Sequence, residues 1–88
     1  MHDPLADASP IRTPEDLGEA VRRHRRSRGL TQQATAALGN VSVPFLSNFE
    51  NGKPTAQIGK ILQTLEAMGL ELFVVPRARV HARRERTP

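Results

Sequence analysis

The chain has 88 residues, a formal net charge of +4 and no cysteine, tryptophan or tyrosine. A chain of this length makes one small domain, and the missing cysteines exclude a disulfide framework, a thiolate zinc site and a cysteine nucleophile. Its longest strictly apolar run, residues 72–75, is far shorter than the roughly 20 residues that span a bilayer, and residues 1–10 lack the apolar core of a secretory signal. These features predict a cytoplasmic protein with a thin aliphatic core.

The N-terminal part is predicted to hold a disordered arm followed by a first helix. Residues 1–12 contain prolines and acids without an apolar period, which is typical of a mobile arm. The helix is predicted to start at Pro14, with Thr13 as its N-cap, and to end at Gly29. Its predicted apolar face repeats at helical spacing and consists of Leu17, Ala20, Val21 and His24.

Two short helices are predicted next. Residues 32–38 form the first of them, with Thr31 as its N-cap, and Gly39-Asn40 follows as a turn in which a positive φ is accessible. Ser42 caps the second, residues 43–51, and its inward pair is Leu46 and Phe49.

A fourth helix and one strand complete the predicted domain. The helix is expected to begin after Thr55 as its N-cap and to end at Gly69. Residues 70–75 are rich in β-forming side chains, so they predict either a strand or the end of a helix. A lone strand leaves its backbone groups unpaired, which favours pairing with a second copy of the chain. The apolar stripe of the helix is predicted at Ile58, Ile61, Leu62 and Leu65, and the dimer strand at Leu70, Leu72, Phe73 and Val74.

The two short helices have the pattern of a helix-turn-helix unit. Such a unit needs small residues on its first helix, so that the second can approach, and short polar groups near the start of the second, where they reach base edges. The small residues are Ala34, Ala36 and Ala37, and the polar ones are Ser42, Ser47 and Asn48.

The residues of the two short helices and their surroundings resemble a known family. The run from Leu30-Thr31-Gln32-Gln33 through Val41-Ser42 to residues 46–53 resembles the Xre (Cro/CI-like) helix-turn-helix family, and residues 61–72 are similar to HipB-type antitoxins. The resemblance implies a mainly α, four-helix, lambda-repressor-like domain over residues 13–76, with its C-terminal β-strand paired across a homodimer. It also implies a transcriptional repressor that binds double-stranded operator DNA at inverted repeats, autoregulates, and has a HipA-type kinase toxin as partner. In one departure, Thr35 stands where the family usually has leucine.

The resemblance also implies roles for individual residues. Contacts to DNA phosphates are expected from Gln32, Gln33, Asn48 and Lys53, and base-facing positions are Ser42, Val43, Pro44 and Ser47. Arg25 and Glu50 match a structural ion pair of the family. Val43 and Pro44 carry no side-chain donor, so they can read only thymine methyl groups or DNA shape.

Several features leave alternatives open. The arginines of residues 22–28 form either a phosphate-binding stripe or a solvated helix face. The basic tail, residues 77–88, is predicted to be disordered, and it either keeps the protein soluble or binds DNA or a partner. The histidines lack metal-ligand spacing and the serines lack a nucleophile motif, so neither a metal, a cofactor nor an enzymatic activity is expected. Two further functions remain possible: a stand-alone Xre-type regulator without a toxin, and a protein-binding inhibitor that uses the domain as a scaffold.

Overall fold

The structure is a computed structural model that describes residue 6 and residues 8–77. Four α-helices follow one another: α1 at Pro14–Ser27, α2 at Gln32–Gly39, α3 at Val43–Glu50 and α4 at Ile58–Ala67. The predicted basic tail lies outside the described residues except for Arg77, and so do residues 1–5 and 7 of the predicted arm. No helix of the described part is long and apolar enough to cross a membrane.

The first three helices begin where the sequence predicts, because each has a hydroxyl residue as its N-cap. The side chains of Thr13, Thr31 and Ser42 each accept a hydrogen bond from the backbone N–H three residues further on. At α1, Asp16 also accepts from the Thr13 backbone N–H, which completes a capping box. The turn after α2 contains Asn40 in the left-handed conformation, with φ of 55°. The predicted caps of these three helices and the predicted turn are therefore confirmed.

Helix α4 begins two residues later than predicted, so the prediction of Thr55 as its N-cap is wrong. The N–H of Ala56 donates to the carbonyl oxygen of Lys53 at 3.4 Å, and the turn that this bond closes has Pro54 at its second position. Proline favours that position of a turn, so the chain reverses once more before the helix starts. Gln57 is the N-cap and makes no side-chain capping bond.

One apolar core holds the four helices together. Helix α1 packs against α3, and α2 packs against both α3 and α4. The partly buried side chains of Leu17, Val41, Phe45 and Leu70 close the core from outside. Its buried apolar members are Val21, Ala36, Leu46, Phe49, Ile61, Leu65 and Met68.

The buried faces of α2 and α4 differ from the predicted ones. Helix α2 buries Thr35, Ala36 and Gly39, whereas Ala34 and Ala37 are exposed. The Thr35 hydroxyl is buried with no hydrogen-bond partner among the described residues. Helix α2 therefore packs through a face rotated from the expected one.

Only half of the apolar stripe predicted on α4 is buried. Ile61 and Leu65 belong to the core, but Ile58 is 61% and Leu62 46% exposed. The main packing partner of α4 is α2, and the edge of the stripe with Ile58 and Leu62 is not covered by the described residues.

The α1–α3 contact depends on a glycine. A Cβ atom on Gly18 would lie 2.4 Å from the carbonyl oxygen of Phe49 and 2.7 Å from that of Glu50. Gly52 is similar, because it has φ of +82° and a Cβ there would lie 2.8 Å from the Cα of Glu15. These glycines set how closely α1 approaches the end of α3.

The predicted strand is not formed within the described residues. Residues 71–76 belong to no helix, and Leu72, Phe73 and Val74 are 45%, 52% and 99% exposed. Leu70 is anchored, because its N–H donates to the Leu65 carbonyl oxygen at 2.9 Å. A strand needs a hydrogen-bonded partner, and the part of the chain that the structure describes offers none to the segment, so pairing across a dimer stays a prediction.

Candidate nucleic-acid interface

The outer face of α3 is formed by the residues that the sequence predicts to face DNA bases. The helix buries Leu46, Phe49 and Glu50 against the rest of the fold. Because the buried residues occupy one side of the helix, the opposite side faces solvent. There Ser42, Val43 and Pro44 are exposed, while Ser47 is half-buried.

Ser42 has a structural task as well as an exposed position. Its Oγ accepts from the Phe45 backbone N–H at 3.0 Å, which caps α3. The hydroxyl proton remains available to donate outward, since a hydroxyl is both donor and acceptor. Ser42 therefore fixes the start of α3 and can offer one hydrogen bond at that end.

Arg25 and Glu50 form an ion pair between α1 and α3. Arg25 Nε donates to Glu50 Oε2 at 2.7 Å and Arg25 Nη2 donates to Oε1 at 2.9 Å, while Nη1 donates to the Leu30 carbonyl oxygen at 2.8 Å. Both side chains are at most 9% exposed. Two parallel bonds between planar groups fix orientation as well as distance. The pair therefore ties α1, the α1–α2 loop and α3 together.

The ion pair shifts the pKa values of both partners. Burial raises the pKa of Glu50, but the hydrogen bonds from Arg25 and Gln32 and the nearby Arg22 charge more than offset this, so the pKa lies below its ordinary value. The hydrogen bond to Glu50 raises the pKa of Arg25. Both groups are therefore charged near neutral pH, with each other as partners.

Gln32, predicted to contact a DNA phosphate, is partly engaged inside the protein. Its Nε2 donates to Glu50 Oε1 at 3.1 Å, and its side chain is half-buried. The side-chain oxygen of Gln32 and its second amide proton take no part in the bond to Glu50. Gln33, the neighbouring predicted phosphate contact, is exposed. Gln32 thus connects the first turn of α2 to the ion pair.

Asn48 and Lys53, the other two predicted phosphate contacts, line one pocket. It has a volume of about 120 Å³ and lies between α3, the α3–α4 loop and the first turn of α4. Lys60 approaches from α4, with its Nζ 5.7 Å from the centroid of the Phe45 ring. The lining residues, called the loop pocket below, are Phe45, Asn48, Lys53, Thr55, Ala56, Gln57 and Lys60.

The turn between α2 and α3 is held by a residue that sequence reasoning missed. Gln63 Nε2 donates to the Gly39 carbonyl oxygen at 2.7 Å and to that of Asn40 at 3.4 Å. These carbonyls lie at the end of α2, where the helix cannot satisfy them itself. Nothing in the local sequence of α4 indicates this role, because Gln63 is distant in sequence from the turn.

The arginines of α1 do not form one stripe. Arg25 is buried with Gly18 and Val21 against α3, and Arg22 is close enough to influence Glu50. Arg23 is exposed and, by helical geometry, points away from this packed side. His24, predicted to lie on the apolar face of α1, is half-buried, and its Nε2 donates to the Met68 carbonyl oxygen at 3.1 Å. The described residues contain no group of three or more potential metal ligands.

A family model described as a helix-turn-helix domain matches residues 16–78. The chain belongs to this helix-turn-helix family. The match covers α1 from its third residue onward, the other three helices and residues 70–77 beyond them, so the helix-turn-helix assignment made from the sequence is confirmed.

A curated helix-turn-helix relative is the "Uncharacterized HTH-type transcriptional regulator y4mF" of Sinorhizobium fredii (strain NBRC 101917 / NGR234). It is 41% identical over 68 residues, which are 77% of this chain and 90% of the relative. Nearly the whole length of that regulator is therefore matched.

Solved structures of HipB have the same fold. One, a complex of HipB with an O2 20mer, superimposes with a TM-score of 0.75 at 22% identity, covering 81% of this chain and 99% of that one. Another, a HipA-HipB-O2-O3 complex, gives a TM-score of 0.74 at 23% identity, covering 80% and 99%. At such identities the likeness shows the fold, a four-helix helix-turn-helix domain like that of HipB.

Proposed function

We propose that the protein is a sequence-specific DNA-binding transcriptional repressor that binds inverted-repeat operators as a dimer and represses its own promoter. The observation that carries this proposal is the outer face of α3. It presents Ser42, Val43 and Pro44 to solvent, while the other side of the helix is locked to α1 through Arg25 and Glu50. A short helix with one exposed face on a rigid support is what insertion into a major groove requires.

Binding would divide between base contacts and phosphate contacts. Ser42 and Ser47 offer the hydrogen bonds on the α3 face, while Val43 and Pro44 offer contact with thymine methyl groups or with DNA shape. Gln32 and Gln33 at the start of α2, and Asn48 and Lys53 at the loop pocket, flank this face as phosphate contacts. Because so few polar groups reach the bases, useful specificity needs two copies on one operator.

The dimer would form through residues 70–75. Leu72, Phe73 and Val74 expose apolar surface next to a backbone that has no strand partner in the described residues. Pairing with a second copy would satisfy those backbone groups and cover the side chains. Recognition helices would then lie in successive major grooves, about one helical turn or more apart.

The protein would also act as the antitoxin of a HipBA-like pair, with a HipA-type kinase as its partner. The likeness to HipB in a HipA-HipB-O2-O3 complex supports this proposal at the level of the fold. An antitoxin is expected to have a kinase-like reading frame beside its gene, and the kinase should co-purify with this protein. A stand-alone regulator would lack both. Either role would be carried out at the nucleoid in the cytoplasm.

The experiment that tests the function is a fluorescence anisotropy titration with a labelled duplex from upstream of the protein's own gene. A shuffled duplex of equal length and composition serves as the DNA control. We expect tighter binding to the upstream duplex, a symmetric footprint and a steep loss of affinity with rising salt. Equal binding to both duplexes without a symmetric footprint would contradict operator repression.

A matched pair of variants tests whether the α3 face makes the contact. Val43→Glu places a carboxylate on that face, and Arg23→Glu places one on the side of α1 turned away from α3. Arg23→Glu changes the net charge by two units and Val43→Glu by only one. We expect Val43→Glu to weaken operator binding at least tenfold more than Arg23→Glu, since a local contact outweighs a general charge effect. The reverse order would show that α3 does not face the DNA.

A further inference from the structure

The loop pocket combines open volume with positive charge. Its lining contains two lysines, Lys53 and Lys60, and no acidic residue. The residues Asn48 and Gln57, which carry amides, and Thr55, which carries a hydroxyl, also line the pocket. Every polar side chain of the lining can donate a hydrogen bond, so the pocket is suited to an anion that accepts several.

Lys60 is held near the pocket rather than left free on the surface of α4. Its Nζ lies 5.7 Å from the centroid of the Phe45 ring, and both residues line the pocket. A cation at that distance from an aromatic ring is attracted to the ring face. This contact restricts a side chain that otherwise has many rotamers, so Lys60 has less freedom to lose when it binds an anion.

Neither lysine is neutralised inside the described part of the protein. The ion pair among the described residues is formed by Arg25 and Glu50, and neither of these residues lines the loop pocket. Two ammonium groups on one pocket without a carboxylate repel one another, and a bound anion relieves that repulsion.

We propose that the loop pocket binds one phosphodiester group of the DNA backbone, and that Lys60 contacts this phosphate jointly with Lys53. The proposal rests on the proposed function and adds Lys60, which lies outside the helix-turn-helix unit itself, to the interface. Asn48 connects the two regions, because it lies on the exposed side of α3 and also lines the pocket. A DNA duplex bound to the outer face of α3 therefore has a backbone phosphate close to the pocket.

The first test measures the salt dependence of binding to the upstream duplex for Lys60→Gln and for Arg23→Gln. Each variant removes one positive charge from an exposed position. We expect Lys60→Gln to reduce the slope of log affinity against log salt by about 1 per subunit, which corresponds to one lost phosphate contact. Arg23→Gln should leave the slope within about 0.3 of the wild-type value, since only a contact in the interface releases counterions. Equal slopes for the two variants would overturn the proposal.

The second test locates the phosphate and separates a contact from general attraction. Neutral methylphosphonates are introduced one at a time along the duplex, and each duplex is titrated with the wild-type protein and with Lys60→Gln. We expect one position in each half-site where the neutral group weakens wild-type binding about tenfold but leaves Lys60→Gln binding nearly unchanged. Lys53→Gln should lose sensitivity at the same position, because both lysines bind one phosphate.

The outcomes distinguish this inference from the proposed function. If wild-type protein binds the operator but Lys60→Gln responds to every methylphosphonate as wild type does, the pocket assignment is wrong and the repressor function stands. If wild-type protein fails to prefer the upstream duplex, the proposed function itself fails. Lys60→Arg keeps the charge and the contact with the Phe45 ring, so it should retain at least half of the wild-type affinity, and circular dichroism of each variant checks that the helices are intact.

Discussion

At the scale of single residues, Glu50 is where three parts of the chain meet. Its carboxylate accepts from Arg25 of α1 and Gln32 of α2, while its own backbone belongs to α3. The side chain is 1% exposed, so its charge is tolerated only because these donors surround it. The orientation of the candidate recognition helix therefore depends on a buried carboxylate that does not itself reach the outer face.

The lowered pKa of Glu50 predicts a pH dependence of stability. A glutamate has an ordinary pKa of about 4.3, and the pKa of Glu50 is lower in the folded protein. As the pH falls below about 4.3, the unfolded chain takes up the proton first, so the free energy of unfolding decreases until the folded carboxyl also protonates. Above about pH 5 this contribution is present in full.

Glu50→Gln removes that titration and leaves Arg25 buried without a counter-charge. We expect a loss of about 3–5 kcal/mol in the free energy of unfolding at pH 7. The loss should shrink as the pH falls from 5 to 3, as measured by urea titration at each pH. Arg25→Met combined with Glu50→Leu should recover part of the stability at pH 7. A wild-type protein and a Glu50→Gln variant with parallel pH profiles would contradict the assignment.

At the scale of elements, the packing of α1 and α3 depends on how closely their backbones approach each other. Gly18 has backbone oxygens of α3 where a Cβ would lie, whereas at Gly59 of α4 no other described part of the protein outside the adjoining helix backbone lies within 4 Å of that position. The same Gly→Ala change therefore has opposite consequences in two helices of one protein. Alanine favours a helix over glycine by about 1 kcal/mol, so only a clash can make the change unfavourable.

We expect Gly18→Ala to destabilise the protein by about 1–3 kcal/mol, since the two helices must separate or shift. Gly59→Ala is its control and should stabilise the protein by roughly 0.5–1 kcal/mol. Thermal unfolding followed by circular dichroism measures both. Because Gly18→Ala also moves α1 relative to α3, it should weaken operator binding, while Gly59→Ala should not. Stabilisation by both substitutions would show that α1 does not approach α3 as described.

The elements themselves follow from local chemistry to a large extent. Thr13, Thr31 and Ser42 predict the starts of three helices because a capping hydroxyl acts within one turn of its own position. The start of α4 could not be predicted in the same way. Thr55 is of a residue type that often caps helices, but it does not cap α4. Instead, Pro54 and the hydrogen bond between Lys53 and Ala56 place Thr55 inside a turn.

At the scale of the whole molecule, several large apolar side chains of the described part remain exposed. Phe73 is 52% exposed on a segment without a strand partner in the described residues. Leu62 and Ile58 leave a second exposed apolar edge on α4. A domain of this size gains much of its stability from covering such surface, so association is a common solution.

Phe73→Asp tests the proposed dimer. A carboxylate in the strand pair would have to be buried without a partner, so we expect monomers in sedimentation velocity at concentrations where the wild type is dimeric. Operator affinity should fall with it, because one half-site binds weakly, and should recover partly at high protein concentration. Leu38→Asp changes an α2 residue of similar exposure, 59%, and should remain dimeric. A dimeric Phe73→Asp protein would place the interface elsewhere.

The sequence by itself determined the helix-turn-helix unit, its caps and its turn, because these depend on interactions between residues a few positions apart. It also indicated Arg25 with Glu50 as a pair, through resemblance to a family. Only the tertiary structure decided that Gln32 is partly committed to Glu50, that Gln63 holds the turn, and that Lys60 joins Lys53 at one pocket. The physical reason is distance along the chain: such contacts join separate helices, and only the packing of those helices brings the side chains together. The net charge of +4 therefore supplies a general attraction to an anionic partner, and the packing of the helices decides which cations stand beside the candidate interface.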